Sequence, residues 1–222
     1  MAQHVEHRGR LIAIEGTRGK DTAAAAAAVI AALTDAGIES AISRFDASGL
    51  FGELAAAGHG DRNISIRTLT LVYAADLAFR LRWEVRPVLE AGGVVIAAPY
   101  VETAVAVGVA CGLSEPWIRE LLRFAPKPDV HARADERKRD RGWKPRLDRG
   151  YPEYCAAMLE HASPKLASKQ ARRNAMALVD RRKGRKVRRL SGKGVNDLVK
   201  IVTGNLRDAP RRSAATPRSA RK

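Results

Sequence analysis

The sequence predicts an α/β protein in which a parallel sheet lies between two layers of helix, with a basic extension at the C-terminal end. Three observations carry this. A short apolar run at 11–14 leads through Glu15-Gly16-Thr17-Arg18-Gly19-Lys20 into an alanine-rich stretch suited only to helix. Further apolar runs then alternate with helical patterns at the spacing of βαβ units, which favours parallel strands joined by right-handed crossovers. The charge is divided as well: residues 1–163 carry 21 basic and 21 acidic side chains, whereas 164–222 carry 19 and 3. The whole formal net charge of +16 therefore sits in the last quarter, and the two parts need separate explanations.

Taken in order, residues 1–9 read as a loose arm, 10–15 as the first strand and 20–36 as the first helix, closed by Gly37. Residues 38–44 alternate as a second strand, 45–49 form a loop, and 50–57 a short helix ended by Gly58. A long helical pattern at 65–91 carries Leu69, Val72, Tyr73, Asp76, Phe79 and Trp83 and stops at Gly92-Gly93; Tyr73 and Trp83 read first as core. Val94-Val95-Ile96-Ala97 is a continuous apolar strand, as a sheet covered on both faces requires. Helices are expected at 102–111 and 114–124, and a short strand at 128–131. Residues 133–150 are dense in charge without apolar period, which fits either a solvated loop or an arginine-bearing lid over a phosphate site. A helix at 151–162, a last strand at 175–180 and a last helix at 195–206 follow, with a basic insertion at 181–194. Residues 207–222 are too polar and basic to bury anything and read as disordered.

A chain of 222 residues, 45% hydrophobic, suffices for one core with an extension. Its longest apolar run, 23–33, is about half of the roughly 20 residues a membrane span needs. The N-terminus has no apolar signal region, so a cytoplasmic protein without membrane attachment is expected. Cys111 and Cys155 lack metal-type spacing and read as reduced thiols. The histidines (His4, His7, His59, His131, His161) show no ligand or triad spacing.

Strand, glycine turn, lysine and helix is the layout of a phosphate-binding loop, or P-loop. Backbone N–H groups and the helix N-terminus hold an anion there, and Lys20 adds a point charge. The match is incomplete. Ile14 stands where the pattern has its first glycine, five residues before Gly19, and Asp21 stands where Ser or Thr should follow the lysine.

The order of segments resembles the thymidylate kinase family of P-loop nucleoside monophosphate kinases over residues 10–206. Five stretches carry the resemblance: LIAIEG at 11–16 with Gly19-Lys20; Ser43-Arg44; LVYAAD at 71–76; GVVI at 93–96 with Tyr100; and Gly112-Leu113 through LLRFAP at 121–126 to Pro128-Asp129. Arg149-Gly150-Tyr151 looks like the family's start of the helix after its lid. The resemblance implies a five-stranded parallel sheet, ATP with Mg²⁺ at the first loop, a dTMP-like acceptor behind it, and a homodimer. It places Gly16, Gly19, Lys20, Asp21 and Thr22 at the nucleotide, with Lys20 and Arg18 on the transferred phosphates and Asp21 or Thr22 holding Mg²⁺. Arg44, Tyr73, Asp76, Arg80, Tyr100 and Thr103 fall on the acceptor side.

Several family features are missing. Only Thr17 and Arg18 separate Gly16 from Gly19, two residues fewer than the family has. A carboxylate such as Asp21 about 4 Å from a phosphate oxygen costs roughly 4 kcal/mol at an effective dielectric of about 20, unless a cation lies between. The family's Asp-Arg-Tyr after the third strand is Ala98-Pro99-Tyr100, its phosphate-holding arginine is Leu77, and its base-reading Tyr-Gln is Val107-Gly108. Arg80 on the same helix is the nearest substitute guanidinium, and Glu102 reaches the place of the lost carboxylate only through a backbone shift. Phosphoryl transfer rests on positioning and charge neutralisation, so these are losses of its main contributions.

The expectation is a thymidylate-kinase-like protein with impaired or lost dTMP kinase activity, a pseudoenzyme that still holds a nucleotide or phosphate. An active divergent kinase is the first alternative. The second is a nucleic-acid-associated protein in which Arg181, Arg182, Lys183, Arg185, Lys186, Arg188 and Arg189 contact polyphosphate backbones without sequence selectivity. No aromatic residue follows Tyr154, which argues against base stacking by that block.

Overall fold

The computed structural model describes residues 9–16, 19–50, 53, 65–134, 188–190 and 192–207. Strand β1 (Arg10–Glu15) runs at the middle of a parallel sheet, flanked by β3 (Val94–Ala98) and β4 (Val130–Ala134). Beyond β3 lies β2 (Ser40–Arg44), and beyond β4 the three-residue β5 (Arg188–Leu190), giving the order β2-β3-β1-β4-β5. Leu11 aligns with Val95 and Ile12 with both Ile96 and Val130, so apolar residues of alternating direction stack across the sheet.

Each direction has its own helical layer. Leu11, Ala13, Val95 and Ala97 pack against Tyr73, Leu77, Ala104, Val107 and Ile118. Ile12, Ile14, Val94 and Ile96 pack against Ala26, Val29 and Leu33 together with Val195, Leu198 and Val202. Burial of both strand faces is why β3 reads as an unbroken apolar run.

The second layer is made by α1 (Gly19–Asp35) and α6 (Gly192–Arg207). Helix α1 ends with Ile38 N–H on the Leu33 carbonyl and Gly37 N–H on that of Thr34, and Gly37 takes φ 71°. This paired-bond ending needs a left-handed residue, which glycine adopts without strain. Helix α6 begins three residues earlier than expected and buries Val195, Leu198 and Val202, so this helix belongs to the core.

The first layer is made by α2 (Ile66–Arg80), a π turn (Leu81–Val85), α3 (Arg86–Glu90), α4 (Val101–Ala110) and α5 (Glu115–Leu121). Ser65 starts α2 by accepting the Thr68 N–H at 3.0 Å. Leu77, Leu81, Val85 and Leu89 are all buried at a spacing of four. In a plain α-helix such a row drifts about 40° per step, and the wider π turn brings Val85 and Leu89 back onto the sheet. The same register leaves Trp83 61% exposed, so its expected place in the core is corrected while that of Tyr73 holds.

Two expected boundaries move. Asp129 precedes β4 and accepts the Leu11 N–H (2.8 Å) and an Arg10 N–H (2.9 Å), so the strand proper runs through Arg133 and Ala134, which sequence patterning assigned to the loop. Gly9, assigned to a loose arm, is held by its N–H on the Leu89 carbonyl. β5 falls within the stretch expected to be a basic insertion, so the backbone of Arg188 and Arg189 is sheet. The strand expected at 175–180, the helix at 151–162, the lid at 135–150 and the tail at 208–222 lie outside the described residues.

Candidate nucleotide-phosphate site

The crossovers part at β1. From it the chain leaves through α1 to β2 on one side, and from β3 it returns through α4 and α5 to β4 on the other. Open parallel sheets bind ligands at the carboxyl ends of the strands flanking such a parting. Here those ends are Glu15-Gly16 and Ala98-Pro99-Tyr100, the Ala98–Pro99 peptide being cis.

Helix α1 starts three residues beyond Gly16, so its first N–H groups and the positive end of its dipole lie at this place. A Cβ on Gly16 would come within 2.6 Å of the Thr22 hydroxyl and 3.3 Å of the Ala134 Cβ, which is the physical reason for glycine there. Thr22 is 2% exposed beneath the loop, and Asp21 beside it is half-buried in the first turn. Of the two residues assigned to Mg²⁺, Asp21 is thus the less buried, although its Oδ2 atom is itself shielded from solvent. Among the described residues no three His, Cys, Asp or Glu side chains group as a metal cage. Gly19 and Lys20 lie in the first turn of α1; Thr17, Arg18 and the side chain of Lys20 are outside the described residues.

Apart from Arg44, the acceptor-side residues converge in the core rather than on an open surface. Arg80 is fully buried and donates from Nε to the Ser43 hydroxyl (2.9 Å), and from Nη2 to the carbonyls of Ser43 (2.9 Å) and Pro99 (3.0 Å). Its Nη1 lies 3.8 Å from a carboxylate oxygen of Asp76. Asp76, also fully buried, accepts the backbone N–H groups of Asp46 (3.2 Å) and Ser48 (3.0 Å) and the Ser48 hydroxyl (2.9 Å). It closes the turn after β2 in which Asp46 takes φ 62°, a conformation uncommon outside glycine. Tyr73 stacks on Phe45 with ring centroids 5.9 Å apart and donates its hydroxyl to the Tyr100 carbonyl. The Tyr100 hydroxyl donates to Pro126 O at 2.8 Å; burial and the nearby Glu15 charge push that phenol well above its ordinary value. Arg44, at the end of β2 beside Ala98, is exposed.

Sequence patterning passed over Glu15. It closes β1, is fully buried, and accepts from the backbone N–H groups of Tyr100, Glu102 and Thr103 and from the Thr103 hydroxyl. Thr103 in turn accepts the Gly16 N–H at 3.1 Å. Burial raises the Glu15 pKa, the hydroxyl and amide of Thr103 pull against that, and the adjacent Glu102 charge pushes up again. The signal was available: a carboxylate ending an apolar strand, one residue before a glycine turn, requires donors.

Glu102 is 5% exposed and pairs with Arg119 at 3.2 Å rather than turning toward the place of the missing carboxylate. Burial works against the Arg119 charge, and hydrogen bonds to Glu102 and Glu115 outweigh it, holding the guanidinium above its usual value. The pair lines a cleft of about 400 Å³ with Tyr100, Leu122, Pro126 and His131. A Cβ on Gly108 would meet Ile118 Cδ1 at 2.5 Å, so α5 occupies the space beside the position where the family carries its glutamine.

No family model matches this chain. A stretch of 67 residues, 30% of the chain, is 39% identical to a probable thymidylate kinase of Pyrococcus abyssi and covers 33% of that protein. A stretch of the same length is 42% identical to a probable thymidylate kinase of Thermococcus kodakarensis, again over 33% of its length. The match thus spans about a third of these curated relatives. Over that stretch the chain is thymidylate-kinase-like, and its parallel α/β architecture is consistent with a P-loop kinase.

Proposed function

We propose that this protein holds the phosphates of a nucleotide at Gly16–Thr22 and that its transfer of a phosphoryl group to dTMP is impaired or lost. The first-turn N–H groups of α1 and Lys20 bind the anion, and Arg18 is assigned to the same phosphates. If ATP enters with Mg²⁺, the carboxylate of Asp21 is the protein oxygen for the metal, a hard cation that takes oxygen donors. The bound metal would neutralise phosphate charge. One observation supports loss on the acceptor side: Arg80, the nearest substitute guanidinium, already binds Ser43, Pro99 and Asp76 in the core.

Thermal unfolding with ATP and Mg²⁺, with dTMP, with both and with neither tests the reading. A ligand at 100 times its Kd adds about 2.7 kcal/mol, a rise of roughly 5–11 °C for a chain of this size. A rise with ATP that Lys20→Ala abolishes, without dTMP-dependent ADP release, is the expected result. Turnover of dTMP that Lys20→Ala abolishes would establish an active kinase instead, and no rise with any ligand would overturn nucleotide binding.

The charge of residues 164–222 favours a second property, salt-dependent contact of Arg181, Arg182, Lys183, Arg185, Lys186, Arg188 and Arg189 with nucleic acid. Its test is reversal of Arg181, Arg182, Lys183, Arg185 and Lys186 to glutamate, since deleting everything after 162 would remove β5 and the core residues of α6. Undiminished DNA retention at low salt would refute it. We also propose a homodimer joined through Leu71, Phe79 and Trp83, which stand exposed along α2 and the π turn. A monomer by light scattering at micromolar concentration would overturn that.

A further inference from the structure

The chain leaves β1 through a chemical link that runs into α4. Glu15 Oε2 receives the Thr103 hydroxyl at 2.6 Å, the Thr103 N–H at 2.9 Å and the Tyr100 N–H at 3.2 Å, while Oε1 receives the Glu102 N–H at 3.2 Å. These are the orphan donors at the start of α4, where the N-cap residue Tyr100 contributes no side-chain cap. A carboxylate from a neighbouring strand therefore caps the helix and sits at the positive end of its dipole. The Thr103 hydroxyl is used in both directions: its proton goes to Glu15, and its lone pair takes the N–H of Gly16. Gly16 is the first residue of the loop, so the loop's point of departure is fastened to α4 by Gly16 N–H, Thr103 and Glu15 in series. All three residues are buried, which shields the series from competition by water.

Resting on the proposed phosphate site, we infer that Glu15 and Thr103 are its positioning residues: they set the direction in which the loop leaves β1 and tie it to α4, and Thr103 does not touch substrate. A hydroxyl engaged at both its donor and acceptor sides has little left for a ligand. The link also joins the two halves of the site, because the same carboxylate holds the amides of Tyr100 and Glu102 beside the acceptor position. Displacing α4 therefore shifts Gly16, and a ligand held at Gly16 bears on the start of α4.

Thr103→Val and Thr103→Ser separate this role from plain stabilisation. Valine keeps the shape and loses both hydrogen bonds, whereas serine keeps them. The readout is the Kd for inorganic tripolyphosphate by calorimetry at a temperature where circular dichroism shows each variant folded. Thr103→Val is expected to weaken binding at least about tenfold, with Thr103→Ser within about twofold of the unsubstituted protein. A purely structural residue would lower the melting temperature of Thr103→Val and leave the affinity of its folded form unchanged, and that result overturns the inference. Absence of tripolyphosphate binding by the unsubstituted protein would instead remove the phosphate site itself. Should Thr103→Val fail to fold, amide exchange of the unsubstituted protein decides. The Gly16 N–H should be strongly protected and its resonance should shift with the titration of Glu15, and rapid exchange or an unmoved resonance refutes the link.

Discussion

Replacing Arg80 by Met distinguishes an arginine that binds substrate from one that holds the fold together. Methionine fills most of the volume but removes three hydrogen bonds of 2.9–3.0 Å, leaving the carbonyls of Ser43 and Pro99 without the donors that reach them now. It also takes the guanidinium from beside Asp76, whose carboxylate is fully buried. Breaking a buried pair by deleting one partner costs about 3–5 kcal/mol. The three donors that remain on Asp76, from Asp46 and Ser48, place the expected loss toward the lower end. At about 2–4 °C per kcal/mol for a chain of this length, the melting temperature should fall by at least about 6 °C. Equilibrium urea unfolding followed by far-ultraviolet circular dichroism gives the free energy directly. Arg80→Lys should fall between the two, because an ammonium keeps the charge and loses the planar fork. A loss below about 1 kcal/mol in Arg80→Met, with weakened nucleotide binding, would refute the structural assignment and return Arg80 to the acceptor site.

Two further outcomes are expected. Because the folded-state pKa of Glu15 is raised above its ordinary value of 4.5, its contribution to stability is fully present below that value and is lost as pH rises through the folded pKa. The stability advantage of the unsubstituted protein over Glu15→Gln should therefore shrink from about pH 4 upward, and an advantage that grows with pH in urea titrations would contradict it. Gly9→Ala would place a Cβ 2.4 Å from the Gly93 carbonyl and 2.7 Å from the Leu89 Cα, both backbone atoms with little freedom to retreat. The overpacking should cost about 1–3 kcal/mol, and an unchanged urea midpoint would show that residues before β1 are as loose as patterning implies.

The sequence alone determined the layered α/β class and the parallel sheet. Those rest on local signals: the apolar run of β3, the alanine-rich α1 closed by Gly37, and the alternation of strand and helix. What it left open depends on residues far apart in the chain. Trp83 looked apolar and helical, and only the π turn decided that it faces outward. Arg80 reads as a phosphate ligand one turn from Leu77, and nothing in the sequence shows that its donors reach Ser43 and Pro99, 37 and 19 residues away. Glu15 went unnoticed because the donors that satisfy it begin 85 residues later. Periodicity reports which face of an element is buried. The partner of a buried charge is chosen by topology, which brings the ends of β1, β2 and β3 to one place, and in a low-dielectric interior that choice decides whether a polar side chain binds a ligand or holds the fold.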